Sequence, residues 1–339
     1  MAQVNFTIVG LGKIGGSFGL ALKAYSKLPN AEHQFTITGY DGTAALIDQA
    51  VKLGVIDRGE RSLTASVEKA DLVFLDLPYH DVENALQLIG DSLKPGAVVM
   101  DASPLKMPSI QWAQTHFRAN AEGEPEAYLV GVHLLVNADH LADHRDTLDA
   151  ARADLFNGGL MIIAPAASCP QEAVQLVADV ATLLGIKQHF ADPVEHDGIL
   201  TAMESLPLLL QLALFRSLSS SKSWEDLRWM GNTAFYLGTY QLGQGDAEAL
   251  GKQLYQSRDS LLRRLDDTLD TLTELRDVLR SGDELAIGEA FDRSMTAYSK
   301  WERTRRSNEW LPMPETPVPT EGMRLLGGLF GRKDKKKGN

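Results

Sequence analysis

Hydrophobic and polar positions divide the chain into two unlike halves. It opens on an alternating run, Val4-Asn5-Phe6-Thr7-Ile8-Val9, which passes directly into Gly10-Leu11-Gly12-Lys13-Ile14-Gly15-Gly16-Ser17 and then into the apolar-periodic residues 18–22. A change from a period of two to a helical period across a glycine cluster predicts strand, tight turn and helix. Apolar runs recur at 35–40, 70–78, 97–101, 128–133 and 159–165, separated by helical patterns, and Pro78 stops the second of them. This alternation predicts an α/β domain over residues 1–166, with a Rossmann-type doubly wound parallel sheet.

Beyond Pro165 strand signals almost vanish, and segments of helical period take over at 171–184, 196–218 and 250–279. They predict an all-helical domain over 167–308. Within it Leu261, Leu262, Leu265, Leu269, Leu272 and Leu275 recur at helical spacing, which marks a packed face. A partner subunit is the expected cover for that face, giving a homodimer. Residues 310–319 read as a stiff proline-rich linker to an apolar and basic tail at 323–337, so 309–339 is expected to be disordered. Weak contact of that tail with an anionic membrane surface is the competing reading, opposed by its three glycines.

Composition narrows the function classes. A length of 339 residues suits about two domains. The net charge of −12 argues against general nucleic-acid binding, which needs a basic face, while small anions remain possible at local sites. With Cys169 as its single cysteine the chain has no disulfide framework, no cysteine metal cluster and no expected metal, which suits a reducing cytoplasm. No leader pattern opens the chain and no run is read as long enough to insert stably in a bilayer, so a cytoplasmic location is expected.

The glycine cluster carries the first chemical inference. In G-x-G-x-x-G, Gly10 makes the tight turn, Gly12 lets backbone N–H groups approach a pyrophosphate, and Gly15 lets helix and strand pack closely; Ile14 lies in the same turn. A helix N-terminus there favours an anion. The motif alone is weak, and a plain βαβ unit with a glycine-tolerant turn would also fit it. The next strand decides, because it ends on Asp41, placed to accept hydrogen bonds from an adenosine ribose and to repel a 2′-phosphate. The expected cofactor is NAD, with NADP not excluded. Pro78 and Asp101 close later strands, where a sheet of this type lines its cofactor crevice.

In order along the chain, Gly10 to Ser17, Gly39-Tyr40-Asp41, Asp101 with Lys106, Gly131-Val132-His133, Pro165 and Asp192-Pro193-Val194-Glu195-His196-Asp197 resemble the prephenate and arogenate dehydrogenases of tyrosine biosynthesis. The resemblance extends to about Asp283, and its most distinctive parts are His196-Asp197 and Gly245-Asp246-Ala247-Glu248-Ala249-Leu250. It implies that a hydride leaves the ring carbon bearing the hydroxyl while the ring carboxylate departs as CO₂. His133 then stands for the family's catalytic histidine, although its turn reads His133-Leu134-Leu135-Val136-Asn137 in place of a His-Pro-Met-Ala-Gly-like sequence. Ser103 is the implied catalytic hydroxyl, one residue early in Asp101-Ala102-Ser103-Pro104-Leu105-Lys106, where the family pattern is Asp-x-x-Ser-x-Lys.

Substrate recognition departs further from the family. Its Ser-His-Leu-Pro-His segment is Glu204-Ser205-Leu206-Pro207-Leu208 here, and its carboxylate-gripping arginine falls on Asn232, with Arg228 the nearest replacement. The implied substrate-binding set is Lys106, Glu204, Ser205, Arg228 and Asn232. An amide does not replace bidentate guanidinium recognition at equal strength. Three readings stay open: a divergent prephenate or arogenate dehydrogenase, a related NAD-dependent oxidoreductase of another small-molecule substrate, and a catalytically idle NAD sensor.

Overall fold

The computed structural model describes residues 2–141, 143–243 and 246–307. The tail, the whole proline-rich stretch 310–319 and Gly245 lie outside them. Contacts divide the chain into two compact units. Among the described residues, one comprises 2–77, Asp81–Pro193 and 302–307; the other comprises Pro78–His80 and Val194–Trp301.

The first unit is built on one eight-stranded sheet, ordered β3-β2-β1-β4-β5-β6-β7-β8. Its strands are β1 (Ala2–Val9), β2 (His33–Tyr40), β3 (Arg58–Gly59), β4 (Leu72–Leu75), β5 (Val98–Asp101), β6 (Tyr128–Leu135), β7 (Leu160–Pro165) and β8 (Lys187–Phe190). The helices between them are α1 (Lys13–Ser26), α2 (Ala44–Lys52), α3 (Leu63–Val67), α4 (Tyr79–Ile89), α5 (Lys106–His116) and α6 (Gln171–Leu183). β1 to β6 are parallel, as the alternating pattern predicts, and β7 runs antiparallel to β6. β4 and β5 are buried at every position, which is why they read as unbroken apolar runs.

The sheet extends further along the chain than its apolar pattern shows. α6 and β8 pack with β7, so the expected boundary after 166 falls inside the sheet unit, which continues to Pro193. β8 is four residues long, at an edge, and reads Lys-Gln-His-Phe. Short polar edge strands carry almost no periodic signal. The core centres on Phe18 of α1, stacked on Phe74 of β4 at 4.4 Å between ring centroids and on Phe6 of β1 at 5.7 Å, with Phe156 at 6.2 Å.

The second unit is helical in its described residues, as expected, with changed boundaries. α7 (Pro193–Leu200), a π-helical turn at Thr201–Ser205 and α8 (Leu206–Ser219) form one run. Pro207 cannot donate to the carbonyl four residues back, and the widened turn sits just ahead of it. This run of 27 residues contains an 18-residue window of mean hydropathy 1.6 and is long and apolar enough by length and composition to cross a membrane, which corrects the expectation that no run is. Then come α9 (Trp224–Leu227), α10 (Thr233–Thr239), α11 (Ala247–Gln256), α12 (Arg258–Ser281) and α13 (Glu284–Arg306). The single helix expected over 250–279 is thus two, broken at Ser257.

Phe18 is fully buried among three other rings. Phe18→Ala is expected to lower unfolding stability by about 3–5 kcal/mol, the cost of truncating a core aromatic, read as a shift of the urea midpoint.

Candidate active site

The cradle at the C-terminal end of the sheet is set by steric necessity at two glycines and by open space at a third. Gly10 has φ of +98°, and a Cβ there would lie 1.8 Å from the carbonyl oxygen of Asp76. A Cβ on Gly15 would lie 2.0 Å from the Gly10 carbonyl oxygen. Gly12, the N-cap of α1, differs: its nearest neighbour to an added Cβ is the Asp146 carbonyl oxygen at 3.8 Å. Side chains are therefore excluded where backbone meets backbone, and room is kept beside the helix N-terminus where an anion would approach.

Asp41 fastens this turn to the end of β2. Its Oδ2 accepts from the N–H of Leu11 at 2.9 Å and its Oδ1 from that of Thr43 at 2.7 Å, and the residue is half-buried. A carboxylate retains further lone pairs when each oxygen accepts one bond, so ribose hydroxyls can still be received. Asp76, just past β4, accepts from the N–H of Gly15 at 3.0 Å through Oδ2. Its one mark in the sequence is a carboxylate at the C-terminal end of an otherwise apolar strand, and no motif used above includes it. Loss of solvation, and after it the Asp146 charge, push its carboxyl up to about 7, against the Gly15 N–H. Lys13 donates to the Asp143 main-chain oxygen at 2.6 Å, and Arg145 holds the Asp143 carboxyl well below the usual carboxylate range.

The turn after β5 gives three expected site residues a structural part. Asp101 is fully buried, and its carboxylate accepts from the Ser103 N–H at 3.0 Å and from the Ser103 hydroxyl at 2.7 Å. Ser103 is itself buried and lies 3.0 Å from the Ser109 hydroxyl. Its hydroxyl is thus engaged inside the turn, and Asp101 shapes that turn in place of the expected cofactor contact. Lys106 corrects the sequence expectation most sharply. It is fully buried, and its ammonium donates to the main-chain oxygens of Val132 (2.8 Å), Asp101 (3.1 Å) and Ser103. A lysine so enclosed binds the end of β5 to the middle of β6; it is not an open grip for a substrate carboxylate.

His133 lies within β6, two residues beyond Gly131, which pairs with Asp101 at the end of β5. A Cβ on Gly131 would come 2.7 Å from Lys106 Cδ, so the missing side chain makes way for the lysine stem. Side chains two apart on a strand share a face, which puts His133 on the Lys106 face, past the end of β5 and half-buried.

In the second unit the expected substrate residues are distributed between interior and surface. Ser205 is fully buried and its hydroxyl accepts from Gln253 Nε2 at 3.3 Å, whereas Glu204 is exposed. Arg228 is exposed, pairs with Glu225 at 2.7 Å and lies over the Trp229 ring at 5.4 Å. Asn232 caps α10 through its Oδ1 to the Thr233 N–H. Pro78 is exposed and belongs to this unit. His196, used above only as a landmark, is 3% exposed with Nδ1 3.0 Å from Asp197 Oδ1.

Comparison with known proteins agrees with this geometry. Residues 25–189 match the family described as Prephenate dehydrogenase, nucleotide-binding domain. The cyclohexadienyl dehydrogenase of Zymomonas mobilis is 24% identical, over 86% of this chain and 94% of that protein. The prephenate dehydrogenase of Bacillus subtilis is also 24% identical, over 84% of this chain and 72% of that protein. Among solved structures, the prephenate dehydrogenase of A. aeolicus, crystallised with hydroxyphenyl propionate and NAD+, superposes with a TM-score of 0.71 at 21% identity, covering 87% of this chain and 98% of that one. With its glycine cradle, its Asp41 and a sheet of this order, the chain is similar to the prephenate dehydrogenases, whose nucleotide-binding domain its residues 25–189 match.

Proposed function

We propose that this protein is an NAD-dependent dehydrogenase that oxidises and decarboxylates a cyclohexadienyl substrate of the prephenate or arogenate type. The observation that carries the reading is the cradle. Gly10 and Gly15 tolerate no side chain, Gly12 leaves room, and Asp41 stands at the end of the second strand. Gly12, with the first-turn amides of Lys13 and Ile14, would receive the pyrophosphate, and Asp41 would receive the adenosine ribose and discriminate against a 2′-phosphate. The bound nicotinamide supplies a hydride acceptor.

This chain's residues would orient and desolvate the substrate. Its C–H bond at the hydroxyl-bearing carbon breaks with the electron pair leaving as hydride, while the C–CO₂⁻ bond electrons enter the ring and CO₂ departs. The hydroxyl becomes more acidic as that carbon loses electron density, and His133 accepts its hydrogen bond. Lys106, through the Val132 carbonyl, fixes the strand next to His133. For substrate carboxylates the proposal uses Arg228, whose exposed guanidinium can exchange Glu225 for a ligand. Glu204, Ser205 and Asn232 are proposed as further contacts in the positions where the family carries other residues.

A homodimer and a cytoplasmic location belong to the same proposal. Leu262, Leu269, Leu272, Leu275 and Leu279 of α12 are 43–62% exposed, an apolar stripe that a second copy would cover. The long apolar run 193–219 is assigned to the folded protein, since Glu195, Asp197, Glu204 and Arg216 lie on it, and Ser205 bonds to Gln253 of α11.

Formation of NADH from prephenate and from arogenate, followed by absorbance, tests the activity. His133→Asn is expected to lower kcat by about two to four orders of magnitude, with NAD affinity little changed. Normal turnover in that variant would make His133 structural. Sedimentation velocity is expected to give twice the 37.1 kDa chain mass, and a species of one chain mass at micromolar concentration would end the dimer reading.

A further inference from the structure

The first turn of α1 has few amides left for a ligand. The N–H of Gly16 goes to the Gly12 carbonyl and that of Gly15 to the Asp76 carboxyl, which leaves those of Lys13 and Ile14 to meet a phosphate. A phosphate held there is separated from Asp76 by one residue of helix. The other groups around Asp76 give little compensation. Asp41 follows β2, Asp101 ends β5, and Asp146 lies in the segment whose backbone approaches Gly12; each raises the cost of charge on Asp76. Lys13 on α1 is committed to Asp143, and Lys106 behind Asp101 is bound to main-chain oxygens. An ionised Asp76 would therefore repel the pyrophosphate at close range.

From this arrangement we propose that dinucleotide binding takes up a proton on Asp76, which meets the pyrophosphate as a neutral carboxylic acid. The inference rests on the cofactor reading above and adds to it a residue that sets the affinity. A protonated carboxyl keeps one oxygen as acceptor for the Gly15 N–H and gains an O–H donor on the other. The same side chain then changes from a repelling anion to a hydrogen-bond donor towards a phosphate oxygen. In the free protein, loss of solvation and then Asp146 already bring the group to about 7, so the proton is part-held at neutral pH. The bound anion raises that value further. Affinity is then full below about pH 7 and falls above it by on the order of tenfold per pH unit, until the higher value of the complex is passed.

Calorimetric titration of NAD into the full-length protein, in buffers of different ionisation enthalpy between pH 6.5 and 8.5, reads the proton count directly. Uptake is expected to rise towards about one proton as pH passes 7. Asp76→Asn keeps an acceptor for Gly15 and offers an N–H to the phosphate; it should bind NAD with no uptake and with a Kd independent of pH over this range. Asp146→Asn should move the onset of the pH dependence downwards. If Asp76→Asn fails to fold, uptake by the unaltered protein decides alone. NAD binding without uptake, or uptake that persists in Asp76→Asn, overturns the proposal. Absence of NAD binding at every pH overturns the cofactor reading beneath it.

Discussion

The contact on which the rest of the site depends is the approach of the Gly10 backbone to the carbonyl at Asp76. It joins β1 to the end of β4 at a distance no side chain permits. The turn can then deliver α1 back onto the sheet, Gly15 can meet the Gly10 carbonyl, and Phe18 can stack between Phe6 and Phe74. One steric constraint thus orders the core and aims the positive end of the helix at the space beside Gly12. The carboxylates of Asp41 and Asp76 hold that geometry from two sides, through the N–H groups of Leu11 and Gly15.

The second organising interaction is the buried ammonium of Lys106. An enclosed cation needs several acceptors, and main-chain oxygens from the β5 turn and from Val132 meet that need. The lysine stem passes through the space that Gly131 leaves, so the glycine and the lysine depend on each other. The result is a fixed relation between the end of β5 and the stretch of β6 that carries His133. The catalytic role proposed for His133 therefore rests on a residue whose own charge is engaged in structure.

Much of the sheet was legible because buried parallel strands are continuous apolar runs, and the cradle was legible because two of its glycines, Gly10 and Gly15, are sterically obligatory. β8 was not, since a four-residue polar edge strand has no period to detect. The break at Ser257 was hidden by an apolar pattern that continues across it. Lys106 was misread because a lysine near a site suggests a ligand contact, and only the three-dimensional course of β6 shows which acceptors reach it. Ser103 and Asp101 were placed in the right turn but turned towards each other. Asp76 needed the structure, because its importance lies in the Gly15 amide that it accepts, contributed by a helix sixty-one positions earlier.

Gly12 is the position where the cradle's role as a dinucleotide site can be tested with least disturbance of the fold. An added Cβ there meets nothing nearer than 3.8 Å. Calorimetry with Gly12→Val, beside the unaltered protein, is the most direct measurement: NAD should bind the unaltered protein more tightly than NADP, and the variant should fold normally but bind neither. Equal NAD affinity in a well-folded variant would contradict the account.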